Sequence, residues 1–217
     1  MSLVFEKNKD VNLIVEQGNS STKVAVVKDW KVVASFVYRV FNKDVLASLF
    51  RSYPLDKGIF STVTAVDEDV VAYLESHLSR FVFFDSQVKL PIAIEYKTPA
   101  TLGKDRIAAV VGAYHYQPGR NLLVIDAGTC ITYEVVEAAG RYIGGNISPG
   151  MTTRFKALEH YTSKLPYVEE TDDVPCIGQS TEEAIQAGVV NGIVYEMDGF
   201  IAVSYTHLRA HETLMNL

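Results

Sequence analysis

The chain has 217 residues, 48% hydrophobic and 21% charged, a balance that suits one large globular domain or two small ones, with no disordered stretch. Its net charge of −6 comes without a basic stripe, which argues against a nucleic-acid partner. No apolar stretch approaches the roughly 18 residues that a membrane span needs. The first ten residues lack the apolar core and cleavage site of a signal peptide. Cys130 and Cys176 have no metal-type spacing, and the histidines form no ligand pattern. A reducing, cytoplasmic setting is therefore expected rather than a disulfide scaffold.

Val11–Gln17 is an apolar run closed by a turn and reads as a buried strand. Residues 22–27 and 31–38 follow as β-branched strands around Lys28-Asp29-Trp30, giving a three-stranded meander. A short helix at 44–50 places Val45, Leu46, Leu49 and Phe50 together. A strand at 58–64, a helix at 67–78 with an acidic first turn that complements the helix dipole, and a strand at 81–84 complete an α/β order. Residues 91–99 read as an extended link. Gly103 then opens a helix to about Tyr116, with Ile107, Ala108, Val111, Gly112 and Tyr114 expected to be buried, and Pro118-Gly119 ends it. A second meander occupies 122–147. A helix at 152–163 and a loop at 166–175 precede the last helix, where Ser180 with Glu183 three residues on forms a capping box.

The two meanders begin with the same device. Asn12-Leu13-Ile14-Val15-Glu16-Gln17-Gly18-Asn19 returns as Leu122-Leu123-Val124-Ile125-Asp126-Ala127-Gly128-Thr129: an apolar run, a carboxylate, a spacer, a Gly and a small polar residue. Repetition of a whole supersecondary unit points to domain duplication. A strand that delivers an acid to a Gly-centred turn brings backbone N–H groups close to a ligand. Two such turns facing each other across a cleft would hold a metal–polyphosphate, the requirement of nucleotide-dependent phosphoryl transfer. A single copy would equally be a hairpin turn using Gly and Asn for conformation. Asp126 ends an otherwise uncharged strand, where an unpaired charge is costly and a cation would satisfy it. Gly103-Lys104-Asp105-Arg106, taken alone, also fits a plain helix start with a solvated Arg106. Gly144-Gly145-Asn146-Ile147-Ser148-Pro149-Gly150 permits close approach of a backbone or ligand, or a tight turn.

Taken in order, Glu-Gln-Gly-Asn-Ser, Gly-Lys-Asp-Arg, Asp-Ala-Gly-Thr, Gly-Gly-Asn-Ile-Ser-Pro-Gly and Gly178-Gln179-Ser180-Thr181 resemble type III pantothenate kinase over about 11–201. The resemblance implies two ribonuclease-H-like domains of the actin/hexokinase-type ATPase superfamily, here 11–118 and an incomplete second domain 119–202. It implies ATP-dependent phosphorylation of pantothenate to 4′-phosphopantothenate, the first step of coenzyme A synthesis. ATP would be bound by Glu16, Gln17, Gly18, Asn19, Ser20, Ser21, Thr22, Lys23 and Thr129, with Mg²⁺, and Asp126 would coordinate a monovalent cation, K⁺ or NH₄⁺. Asp105 would be the general base, and Tyr96, Gly103, Lys104 and Arg106 would line the pantothenate pocket. Thr181 would reach the partner subunit's pantothenate in a homodimer. A primary alcohol is too weak an acid to lose its proton first, which gives a carboxylate such as Asp105 that role on chemical grounds as well.

Two departures stand beside the resemblance. The family places Asp where this chain has Glu16, and the extra methylene shifts the carboxylate by roughly 1.5 Å, against a metal-distance tolerance of ~0.2 Å. The family also continues with a further strand, a Gly-rich turn and closing helices. Val203-Ser204-Tyr205-Thr206-His207-Leu208-Arg209-Ala210-His211-Glu212-Thr213 reads like a translated transposon-type sequencing adapter, so 203–217 is expected to be a non-native tail that supplies no strand. The rival readings are a non-catalytic nucleotide-binding accessory protein of the same family, favoured by Glu16, and a sugar or acetate kinase of the same superfamily.

Overall fold

Alternation builds the first sheet: along β1 (Val11–Gln17), Val11, Leu13 and Val15 are buried while Ile14 and Glu16 are exposed. In this computed structural model, which describes residues 11–18, 21–207 and 212–216, β1 pairs antiparallel with β2 (Thr22–Lys28), and β2 with β3 (Lys31–Tyr38). Asp29 and Trp30 join β2 to β3 with φ of 50° and 64°, the left-handed pair that a tight hairpin turn requires. α1 (Lys43–Ser52) is capped by Asn42, whose side chain accepts from the Asp44 and Val45 N–H groups, both at 3.1 Å. β4 (Leu55–Thr62) adds parallel to β1 and β5 (Arg80–Phe83) parallel to β4, giving the order β3-β2-β1-β4-β5. Leu46 and Leu49 of α1 and Val70 and Leu74 of α2 (Glu68–His77) close one core over Leu13, Val15, Val24 and Phe60.

The second unit repeats the meander as β7 (Leu122–Ala127), β8 (Cys130–Glu137) and β9 (Arg141–Pro149), both pairs antiparallel. A short β6 (Ala93–Ile94) lies parallel to β9. This sheet is covered on both faces, which is why Leu122-Leu123-Val124-Ile125 is buried without alternation. On one face Leu122, Val124, Val136 and Tyr142 pack with Val110 and Ala113 of α3 (Lys104–Tyr116). On the other, Leu123, Ile125, Ile131 and Tyr133 meet Phe155 of α4 (Met151–Tyr161) and Ile185, Val189 and Ile193 of α5 (Thr181–His207). Gln186 and Asn191 of α5 donate to the carbonyls of Glu169 and Pro175, tying down the preceding loop.

The compact units divide between Lys89 and Leu90, which places α3 in the second unit, where it packs on β7 and β8. Two expectations change. The buried face of α3 is Arg106, Val110 and Ala113, while Ala108 is exposed and Ile107, Val111, Gly112 and Tyr114 are half-buried. The segment after Ala202 extends α5 to His207 and supplies β10 (Glu212–Asn216). This strand pairs parallel with β7 in the place β4 takes beside β1. The open edge of β7 offers backbone N–H and C=O groups, and pairing with them needs no particular side-chain pattern.

Candidate active site

In the first unit, the end of β1 carries the first repeated device. Glu16 lies opposite Lys23 in the β1–β2 register, and their charged groups are 3.9 Å apart in an exposed pair. Such a pair adds little to stability and leaves both charges available. The Gly18 N–H donates to the Ser21 carbonyl at 2.9 Å, closing the turn, and Thr22 is buried behind it. Gln17 holds a buried side-chain oxygen with no hydrogen-bond partner. Turning that amide about its last bond would offer N–H donors to an anion. Asn19 and Ser20 lie outside the described residues.

The second unit gathers the other expected residues. α3 starts at Lys104 with Gly103 as a cap that makes no side-chain hydrogen bond. Asp105, in its first turn, is exposed, and Lys104 is half-buried. Arg106 meets Glu134 of β8, whereas Tyr114 donates to the carbonyl of Ala138 beyond the other end of that strand. α3 therefore runs antiparallel to β7, and its first turn lies toward the strand end that carries Asp126. Asp126 is half-buried, and its carboxylate has no side-chain partner among the described residues.

The fourth motif supports the second one. The Gly150 N–H donates to the Thr129 carbonyl at 3.0 Å, and a Cβ at Gly150 would sit 1.9 Å from the Gly128 carbonyl oxygen. Only a glycine admits the Gly128-Thr129 turn at this distance. The Thr129 carbonyl also accepts from the Thr153 hydroxyl, and its own side chain is exposed. Thr181 is exposed at the start of α5, where it lines an apolar groove of about 770 Å³ against α4. Ser180 accepts from the Glu183 N–H, which is one half of the expected capping box, while Glu183 accepts from the Gln179 N–H, one residue before the cap.

Arg106 is not the solvated residue that its motif in isolation implied. Its side chain is 7% exposed and forks onto a fully buried Glu134, Nε to Oε1 at 2.5 Å and Nη2 to Oε2 at 2.8 Å. Nη2 also donates to the Tyr142 hydroxyl at 3.0 Å, and that hydroxyl donates to Glu134 Oε2 at 2.6 Å. The hydrogen bonds from Arg106 to Glu134 outweigh the effect of burial and push the guanidinium's pKa further up. Burial, then its bond to Glu134, pushes the Tyr142 phenol up, which keeps it a donor. Tyr96 lies over this group, 5.5 Å from ring centre to Arg106 Cζ and stacked on Tyr142 at 6.0 Å. Sequence reasoning passed over Glu134 and Tyr142. The available signal was one carboxylate inside the apolar run Ile131-Thr132-Tyr133-Glu134-Val135-Val136.

Comparison with known proteins gives the family. The family described as type III pantothenate kinase matches residues 12–203. A type III pantothenate kinase from Phocaeicola vulgatus is 45% identical over 199 residues, 92% of this chain and 81% of that protein. The enzyme of that name from Bacteroides fragilis is 44% identical, over 88% of this chain and 79% of its own length. Among solved structures, a protein assigned as a 2-dehydro-3-deoxygalactonokinase from Sinorhizobium meliloti superposes with a TM-score of 0.50. It is 13% identical and covers 94% of this chain and 85% of its own, a likeness of fold alone. The repeated meander in two mixed sheets is thus a fold this chain shares with that structure. At this identity and coverage, with the motif residues in place, the chain belongs to the type III pantothenate kinase family.

Proposed function

We propose that this protein is an ATP-dependent kinase that phosphorylates pantothenate on its primary hydroxyl, opening coenzyme A synthesis. The observation that carries the reading is Asp105: an exposed carboxylate in the first turn of α3, next to a buried Arg106, in a chain of this family. Asp105 accepts the hydroxyl proton as the new P–O bond forms. Tyr96, Gly103 and Lys104 line the substrate pocket. In the first unit, the turn from Glu16 to Lys23 offers the Lys23 ammonium and the Gln17 amide to nucleotide phosphates; in the second unit, we assign Thr129 a contact with ATP.

The half-buried, unpartnered Asp126 carboxylate fits a monovalent cation, K⁺ or NH₄⁺, whose charge would offset that of the phosphates. No cluster of three or more His, Cys, Asp or Glu occurs among the described residues. We assign Mg²⁺ to arrive with ATP and keep several waters, with Glu16 as a carboxylate contact. Exposed Thr181 is free to reach the partner subunit's pantothenate in a homodimer. No described helix is long and apolar enough to cross a membrane. We place the protein in the cytoplasm, where its exposed free Cys130 and Cys176 would stay reduced.

Glu16 favours a second reading, because it pairs with Lys23 in place of the family's shorter Asp. The protein would then bind nucleotide and act as a non-catalytic accessory factor. Pantothenate-dependent ADP release by the purified protein, with sugars and acetate as controls, separates the two. Release with pantothenate alone supports the kinase, release with a sugar or acetate redirects the substrate, and none with ATP still bound leaves the accessory role.

A further inference from the structure

We infer that Glu134 is a positioning residue for the acceptor pocket, acting through Arg106 and Tyr142, an inference that rests on the reading of Asp105 and Tyr96 given above. An arginine in a substrate pocket is ordinarily valued for a fork that matches a carboxylate. Here one edge of the fork is already taken: Nε and Nη2 both end on Glu134, and Nη2 also reaches the Tyr142 hydroxyl. Arg106 also lies over the Tyr96 ring, with Cζ 5.5 Å from the ring centre, and Tyr96 also stacks on Tyr142. The pocket residue Tyr96 therefore rests on two side chains, and the same carboxylate fixes both.

The ion pair also fixes the start of α3. Gly103 gives that helix no side-chain cap, so its first turn lacks the usual anchor. Arg106, adjacent to Asp105, supplies one by tying the turn to β8 across 28 residues of sequence. A buried ion pair is no better for stability than a well-packed apolar pair, and here it yields a fixed geometry. The sheet makes room for it: Gly145 lies opposite Glu134 on β9, and a Cβ there would sit 2.2 Å from Glu134 Oε2.

The test compares steady-state constants for pantothenate with the binding constant for ATP in Glu134→Gln and Tyr142→Phe. Glu134→Gln keeps the shape but replaces one acceptor oxygen with an N–H donor facing Arg106. A misplacement of about 1 Å costs about 100-fold in rate, so kcat/KM for pantothenate is expected to fall about 10- to 100-fold, with ATP affinity within about twofold. Tyr142→Phe leaves the fork but deletes the hydroxyl that both partners use, and about a threefold loss confined to pantothenate is expected. If Glu134→Gln does not fold, Tyr142→Phe decides. Unchanged pantothenate constants, or pantothenate and ATP constants weakened together, overturn the positioning role. Absence of pantothenate turnover in the unsubstituted protein removes the functional reading itself and this inference with it.

Discussion

Tyr133 and Glu134 are neighbours on β8 whose side chains reach opposite faces of the second sheet, and each joins a different carboxylate-centred network. Glu134 holds Arg106 of α3 and Tyr142. The Tyr133 hydroxyl donates to Glu196 of α5 at 2.8 Å, and Glu196 also accepts from Arg154 of α4 at 2.6 Å and from Ser148 at 3.0 Å. Arg154 Nε donates to the Pro149 carbonyl at 2.7 Å, beside the Gly150 that braces the Gly128-Thr129 turn. One strand thus fastens the helix carrying the proposed base on one side and the helices behind the second repeated turn on the other.

The base assignment predicts a rate defect without a folding defect. Asp105→Asn keeps the side chain's shape and removes its ability to take a proton, so kcat should fall about 10²- to 10⁴-fold. Because Asp105 is exposed, the thermal midpoint should stay nearly unchanged. A variant within about threefold of the parent rate shows that the proton goes elsewhere.

The cation assignment predicts a salt-specific rate. Turnover is expected in K⁺ or NH₄⁺ and should fall in Na⁺ at equal ionic strength, which separates a site from general screening. Asp126→Ala should abolish the difference together with most activity. Equal rates in K⁺ and Na⁺ for the parent protein count against a specific site at the end of β7.

Much of this is legible in the sequence, because the strands are apolar runs closed by Gly turns and the Ser180 cap is a local signal. What was not legible is non-local. α3 carries Ile107, Ala108, Val110, Val111 and Ala113 around its circumference, so no stripe marks its buried face. That face is chosen by Arg106 meeting Glu134, a pairing that neither local segment specifies. Pro118-Gly119 likewise marks the end of a helix in the sequence without marking that this helix packs onward against β7. Tail residues 212–216 were read from their irregular pattern, while the open edge of β7 decides their pairing.

Position 16 offers a test of the first turn. Glu16→Asp draws the carboxylate back by roughly one C–C bond, ~1.5 Å, and breaks the exposed contact with Lys23 at little cost in stability. Activity should match or exceed that of the parent, because the shorter arm suits direct or water-mediated metal contact. A large loss in kcat would show that the turn is shaped around Glu16.

Glu196 predicts an acid limb in stability. Burial alone would raise its pKa, but hydrogen bonds from Arg154, Tyr133 and Ser148 outweigh this and hold the carboxyl below the ordinary glutamate value of 4.5. A depressed folded-state pKa contributes stability above the unfolded value, and that contribution is lost as pH falls through the folded one. Glu196→Gln should therefore lower the unfolding free energy at neutral pH and flatten its decline below about pH 4.5. Parallel pH profiles for the two proteins would mean that this network does not carry the acid sensitivity.

Two glycine substitutions should move stability in opposite directions. At Gly145, a Cβ would lie 2.2 Å from Glu134 Oε2 and 2.3 Å from the Tyr133 carbonyl oxygen. The carboxylate could swing aside only by giving up Arg106, and the carbonyl could move only by opening the β8–β9 ladder. Gly145→Ala is thus expected to cost about 3 kcal/mol or more. At Gly112, within α3, a Cβ would meet nothing within 4 Å. Gly112→Ala should stabilise by roughly 0.5–1 kcal/mol through helix propensity. Denaturant midpoints at constant slope measure both. A Gly145→Ala protein as stable as its parent would show that β9 does not close on Glu134, and the ion pair would lose the wall that holds it against α3.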